Sequence, residues 1–234
     1  MDQYNNNFVE VTVTSEEERV AFYKKTYAHV ALGVLVFIFI EYLFLHNNTI
    51  VQFALSLTEG KMWLAMLIGF MLVTSYAEKM AVTSHDRNKQ YLGYFLYIVA
   101  EAFIFVPLLY IATHLVEGGG TIIQQAAVLT AGLFTGLSAV VLLTKKDFSF
   151  LRTGLIVVSF IAMGLIAAGL LFGFNLGLWF SGAMILLAAG SILYQTSNLI
   201  HKYHTDQYVG AALGLFASLM LLFWYILRIF MSRD

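Results

Sequence analysis

The sequence contains no cysteine and has little proline and little charge. With no cysteine among 234 residues, disulfide frameworks, thiolate nucleophiles and cysteine-ligated metal sites are excluded. A single proline allows nearly every apolar run to form an uninterrupted helix. Charged residues make up only 12% of the chain, hydrophobic residues make up 60%, and the mean hydropathy is +0.79. This composition predicts an all-α integral membrane protein in a lipid bilayer, with no nucleic-acid partner.

Seven apolar runs approach the roughly 20 residues that a helix needs to cross a hydrocarbon core. They cover residues 27–45, 62–77, 91–113, 121–143, 154–172, 176–200 and 208–230. The second run is short, and only three residues separate the fifth run from the sixth, so an interpretation with six spans stays open. We expect one transmembrane domain over residues 27–234.

Residues 1–26 are expected to form an N-terminal tail that ends in a short amphipathic surface helix. Residues 1–13 are polar and are expected to be unstructured. Ser15 and Glu18 have the spacing of a capping box, in which each side chain bonds the backbone N–H of the other residue. No basic, apolar and small-residue layout typical of a cleaved signal peptide is visible, so the first apolar run is interpreted as a retained span.

The placement of Lys and Arg predicts the orientation in the membrane. Ten of the 13 basic residues fall in segments on the side of the N-terminus, and three fall on the other side. By the positive-inside rule, the N-terminus is expected in the cytoplasm and the C-terminus outside. A reporter fused to the C-terminus that is active only in the cytoplasm would contradict this orientation.

Polar residues within the apolar runs are the candidate functional residues. Glu101 lies near the middle of the third run, six residues before Pro107, which is expected to kink that helix. Gln195 and Ser218 lie in the last two runs, which are predicted to form a hairpin. These residues are candidates for lining one cavity with Glu101, although a protonated Glu101 that bonds a neighbouring helix is an equal alternative. Glu41 is a weaker candidate, because it lies near its helix end and is expected to reach the interface.

Pairs of glycines four residues apart predict close helix contacts in three spans. These pairs are Gly132 with Gly136, Gly169 with Gly173, and Gly210 with Gly214.

Catalytic and metal-binding patterns are sparse, so no enzymatic activity, cofactor or metal is expected. Ser138 lies in a sequence that faintly resembles a rhomboid protease nucleophile, but the histidines fall at or beyond the ends of the spans. His201 and His204 form a weak metal signature, because two histidines without a third ligand rarely hold zinc. An intramembrane hydrolase is kept only as a remote alternative.

Two separated motifs carry a resemblance to a known family. They are Leu143-Thr144-Lys145-Lys146-Asp147-Phe148-Ser149-Phe150-Leu151 and the stretch from Leu193 to Ser218. Together with the helix count, they resemble the transmembrane Bax inhibitor motif family and are closest to its bacterial YccA-like branch. The resemblance implies a seven-helix protein of the bacterial inner membrane.

The resemblance implies two alternative functions. Members of the YccA-like branch resemble modulators and slow substrates of the AAA membrane protease FtsH, which acts in membrane protein quality control. Other relatives leak calcium through a pH-sensing pair of aspartates, and here those positions correspond to Gln195 and Ser218. Because neither residue titrates, a leak of calcium or a proton-coupled cation would need another group, such as Glu101.

Overall fold

The structure is a computed structural model that describes residue 11 and residues 14–232. The described residues form eight α-helices and no strand. The helices are α1 (Glu16–Leu45), α2 (Asn48–Ser56), α3 (Met62–Thr83), α4 (Arg87–His114), α5 (Gly119–Thr144), α6 (Leu151–Phe172), α7 (Gly177–His201) and α8 (Tyr208–Met231).

Seven of these helices are long and apolar enough to cross a membrane, and α2 is the exception. The prediction of seven helices able to span a membrane is therefore confirmed. The α2 helix was missed because its nine residues are too few for a span, although Asn47 is a recognisable cap. The Asn47 side chain accepts hydrogen bonds from the N–H groups of Thr49 and Ile50, at 3.1 and 3.3 Å.

The N-terminal capping box is present and begins a single long helix. Ser15 Oγ accepts from the Glu18 N–H at 3.3 Å, and the Glu18 carboxylate accepts from the Ser15 N–H at the same distance. The α1 helix then continues for 30 residues, so the expected surface helix and the first span are one helix without a break. The expectation for the tail falls largely on residues 1–10 and 12–13, which lie outside the described residues.

The α8 helix forms the centre of the bundle. Thirteen of its 24 residues are buried, and it packs against α1, α3, α4, α5 and α7. Its tightest neighbour is α7, as the predicted hairpin requires. By contrast, α6 packs mainly on α7 and buries only Ala162. Most of α6 therefore presents an apolar surface to the bilayer.

Only one of the three predicted glycine pairs lies where neighbouring helices approach each other closely. A Cβ on Gly210 would lie 3.3 Å from the Ala81 carbonyl of α3, and one on Gly214 would lie 2.9 Å from the Gln195 side chain of α7. No atom of the described residues lies within 4 Å of such a Cβ at Gly132 or Gly136. At Gly169 the nearest atom, 3.1 Å away, belongs to the adjacent turn before α7, and Gly173 is open. Helix contacts through those two pairs were wrongly predicted within this chain.

The bundle has two ends, which we call the N-face and the C-face. The N-face holds the beginnings of α1, α4, α6 and α8 with the ends of α3, α5 and α7. Contacts between distant segments join this face: an Arg87 nitrogen donates to the Asp206 carbonyl at 2.7 Å, and the Phe148 N–H donates to Ser197 Oγ at 2.9 Å. The C-face holds α2 and the opposite helix ends.

Candidate functional site

Glu101 lies in the middle of α4 and is 7% exposed. The helix continues through Pro107, which is itself buried. Because proline has no N–H, the backbone carbonyl one turn earlier receives no helical hydrogen bond. The Glu101 carboxyl makes no hydrogen bond to the described residues. An ionised carboxyl is costly at this depth in a membrane. Glu101 and the residues around it are therefore the leading candidate for a functional site.

Glu101 forms part of the wall of a cavity of about 470 Å³ between five helices. The cavity extends to the C-face, since its wall includes the segment between α6 and α7. The remaining lining residues are mostly apolar and are Trp63, Leu67, Phe70, Met71, Ile104, Phe105, Met163, Ile166, Gly169, Leu170, Phe174, Asn175, Leu176, Met184, Leu221, Trp224, Tyr225 and Arg228. The structure thus opens a route from one face of the bundle to its middle.

Two ionisable side chains of opposite type, one acidic and one basic, line this cavity. Arg228 lies in the last turn of α8, near the C-face, and Glu101 lies deeper in the bundle. A cation entering from the C-face therefore passes a guanidinium before it meets a carboxyl. The Arg228 side chain was not predicted as a site residue, because nothing near it in sequence connects it with Glu101.

Gln195 and Ser218 do not line the Glu101 cavity. Ser218 Oγ lies 2.8 Å from Ser191 Oγ and donates to the Gly214 carbonyl at 2.9 Å, so its bonds stay within the α7–α8 pair. Gln195 packs against Gly214. The structure therefore brings together Ser191, Gln195 and Ser218 and separates them from the Glu101 cavity. Ser191 was missed, although its position one turn before Gln195 places it on the same face.

Glu41 does not reach the interface as expected. It is 4% exposed, and neither carboxyl oxygen has a hydrogen-bond partner among the described residues. It lines a second cavity of about 430 Å³, between α1 and α5, whose floor is formed by α4 and α8. The expectation was wrong because α4, α5 and α8 together surround this turn of α1.

A serine, a histidine and an aspartate meet at the N-face in an arrangement that anchors a loop. Ser197 Oγ donates to Asp147 Oδ1 at 3.3 Å and accepts the Phe148 N–H. The His201 Nδ1 lies 3.0 Å from the Ser197 carbonyl and 3.5 Å from Ser197 Oγ, but among the described residues it makes no hydrogen bond to Asp147. Hydrogen bonds from Ser149 lower the pKa of Asp147, and the one from Ser197 adds a smaller effect. This geometry differs from a catalytic triad, in which the base lies between nucleophile and acid.

The other residues considered for chemistry also make structural contacts. Ser138 Oγ lies 3.5 Å from Thr196 Oγ1 in the buried interface of α5 and α7. Within the described part of the chain, no group of three or more histidine, aspartate or glutamate side chains could hold a metal ion.

Comparison with known proteins assigns the chain to a family. The sequence pattern of the family described as Inhibitor of apoptosis-promoting Bax1 matches residues 19–234. Over 141 residues the chain is 34% identical to "Uncharacterized protein PA2604" of Pseudomonas aeruginosa, covering 60% of this chain and 59% of that protein. It is 40% identical over 128 residues to "Modulator of FtsH protease YccA" of Escherichia coli, covering 52% of this chain and 57% of that protein.

A more distant relative aligns over nearly the full length. The chain is 30% identical over 223 residues to the "Golgi anti-apoptotic protein" of vaccinia virus, covering 94% of this chain and 88% of that protein. The two bacterial alignments, in contrast, span little more than half of each relative.

Proposed function

Because the chain belongs to the family of inhibitors of apoptosis-promoting Bax1, we propose that it is a non-catalytic, multi-pass protein of a bacterial inner membrane. It acts in membrane protein quality control as a modulator or slow substrate of an AAA membrane protease of the FtsH kind. The observation that carries this proposal is the segment 40% identical to a protein named as an FtsH modulator.

The surface of the bundle suits a protein that works through helix contacts. Large apolar side chains project outward from α6 and the start of α7, with Phe160 76%, Phe172 81% and Trp179 94% exposed. In the bilayer these residues meet lipid or another transmembrane helix. The open Gly132 and Gly136 on α5 add a second surface that a neighbouring helix can approach closely.

The polar N-terminal tail is the segment that we propose the protease engages, that is, its grip on the protein. The positive-inside distribution favours a cytoplasmic N-face, which is the side from which such a motor pulls. Val11 does not belong to the segment that the protease engages, since it is 1% exposed and its N–H donates to the Tyr203 carbonyl at 3.2 Å. The grip would then consist of the residues before Val11.

Deletion of residues 2–10 tests this proposal while leaving the packed Val11 in place. In cells that contain FtsH, we expect the deletion to lengthen the half-life of the protein, because the motor loses the polar segment that it engages first. A second variant, in which a Gly/Ser sequence of equal length replaces residues 2–10, should be degraded at the normal rate. Half-lives are measured by pulse-chase, and an unchanged half-life for the deletion variant would contradict the proposal.

A slow cation leak is the second candidate, and the cavity that reaches Glu101 favours it. In this function Glu101 would replace the aspartate pair that Gln195 and Ser218 cannot supply. The two functions make opposite predictions for Glu101→Gln: protease modulation tolerates the substitution, whereas a leak through this cavity is lost.

A further inference from the structure

The 430 Å³ cavity beside Glu41 is a crevice between α1 and α5. Both helices pack on α8, but they make few contacts with each other. Its rim contains exposed residues, Ile38 and Tyr42 of α1 with Ala127 and Ala131 of α5, so the crevice opens sideways to the bilayer. A molecule dissolved in the membrane can enter it without leaving the hydrocarbon.

The crevice is about as long as half the thickness of a bilayer's hydrocarbon core. Its lining begins at Leu45, the last residue of α1, and at Thr113, the residue before the end of α4. It extends down α1 to Val34, eleven residues away, which corresponds to about 16 Å at 1.5 Å per residue. Half of a hydrocarbon core is about 15 Å thick. This match favours a lipid from the C-face leaflet over a partner helix, which would continue across the membrane.

The polar groups inside the crevice are hydrogen-bond acceptors. Both oxygens of Glu41 are buried in the crevice wall and have no hydrogen-bond partner among the described residues, and the side chain lies one turn below the end of α1. The Thr130 hydroxyl donates to the Ala126 carbonyl at 2.7 Å, which leaves its lone pairs for a ligand, whereas Thr113 Oγ1 already lies 2.7 Å from His114 Nδ1. Among the described residues, no lysine, arginine or histidine lines the crevice. The site therefore favours a headgroup that carries several N–H donors over one with a net negative charge.

From this geometry we propose that the crevice binds a phospholipid with a primary ammonium headgroup, that is, phosphatidylethanolamine, through Glu41. One acyl chain lies along Val34, Phe37 and Ala131, and the headgroup lies near Leu45 and Thr113. In the structure the Glu41 carboxyl forms part of the crevice wall. When the lipid binds, this carboxyl turns about its side-chain bonds and accepts hydrogen bonds from the N–H groups of the ammonium. Phosphatidylcholine has no N–H group and cannot form these bonds. The proposal is independent of the protease function.

Native mass spectrometry of the purified protein with equal amounts of dioleoyl phosphatidylethanolamine and dioleoyl phosphatidylcholine tests the site. We expect the wild-type protein to retain the ethanolamine lipid about tenfold more than the choline lipid, the ratio that one charge-assisted bond can provide. Glu41→Gln should reduce this preference to near unity. Glu101→Gln is the matched control, because it makes the same change in the other cavity, and it should keep the preference.

A second variant tests the crevice itself. Ala131→Leu fills part of the opening from an exposed position, so it should weaken retention of both lipids without changing the helical content measured by circular dichroism. Equal retention of the two lipids by the wild type, or an unchanged preference in Glu41→Gln, would overturn the proposal. So would a dimer that is sensitive to Glu41→Gln and carries no lipid, because the crevice would then be an interface between copies of the chain.

Discussion

Asp147 connects the loop between α5 and α6 to the end of α7. Its Oδ1 accepts the Ser149 N–H at 2.8 Å and the Ser197 hydroxyl at 3.3 Å, while Ser197 also receives the Phe148 N–H. Ser197 is fully buried, so a loss of its partners leaves a polar group unsatisfied within the N-face.

We expect Asp147→Asn to lower the thermal stability of the detergent-solubilised protein at about pH 7. Because hydrogen bonds lower the pKa of Asp147 in the folded state, the carboxylate stabilises the fold above its unfolded pKa of about 4. That stability is lost as the pH falls through the lower folded pKa. The difference between wild type and variant should therefore shrink from about pH 7 towards about pH 3 in thermal unfolding measurements.

Asp206→Asn provides the control for this measurement, because the known contact of Asp206 with Arg87 uses its backbone carbonyl. It should leave the pH dependence as in the wild type. A stability difference for Asp147→Asn that is the same at both ends of the pH range would contradict the anchoring role.

Individual site residues were predictable where a single property identified them. A glutamate in the middle of an apolar run stands out in any sequence, and Glu101 does line a cavity. The guanidinium of Arg228 and the ring of Trp63 come from two other helices, and only tertiary packing brings them to the same cavity. Glu41 was misjudged for the same reason, since its burial depends on α4, α5 and α8.

The close packing of α3 against α4 depends on Gly93, a residue that no sequence motif indicated. A Cβ built on Gly93 would lie 2.5 Å from the Ala77 carbonyl and 2.8 Å from the Ala81 nitrogen, both of which are backbone atoms. Backbone atoms in a helix cannot move aside as a flexible side chain can. The two helices must therefore separate if this position gains a methyl group.

We expect Gly93→Ala to destabilise the protein by about 1–3 kcal/mol, the usual cost of overpacking. Gly132→Ala makes the same change on α5, where the part of the chain that the structure describes places no atom within 4 Å of the added methyl group. It should be neutral or stabilising by up to about 1 kcal/mol, since alanine favours helix. Unfolding midpoints in a denaturing detergent titration measure both variants, and equal midpoints would show that α3 and α4 are not in close contact.

Helix positions were predictable from hydropathy because each span must satisfy its own backbone within the bilayer. Contacts between helices were less predictable. Of the three predicted glycine pairs, only Gly210 with Gly214 contacts neighbouring helices. Spacing of small residues shows which faces allow close approach, but the choice of partner depends on the whole bundle. The open pair on α5 and the crowded Gly93 on α4 illustrate both kinds of error.

For the whole molecule, the distribution of cavities bears on whether cations can cross. The Glu101 cavity and the Glu41 cavity both lie towards the C-face, and among the described residues none from the N-face ends of the helices lines the Glu101 cavity. On the N-face side of Glu101, Tyr94 and Phe216 are in edge-to-face contact at 5.9 Å, and a separate cavity of about 200 Å³ between α1 and α4 is lined by Tyr94 and Ile98 but not by Glu101. A cation that reaches Glu101 therefore needs a rearrangement of α4 and α8 to continue, so any leak should be slow.

Calcium flux into phosphatidylcholine liposomes that contain the purified protein distinguishes the two proposed functions. If the molecule leaks cations through the Glu101 cavity, wild-type flux should exceed that of empty liposomes, and Glu101→Gln should abolish the excess. Glu41→Gln, the same change in the other cavity, should leave flux unchanged. Flux that persists in Glu101→Gln would exclude this carboxyl from the route. Flux equal to that of empty liposomes would contradict the leak and favour protease modulation, for which Glu101 is only a buried group beside a cavity.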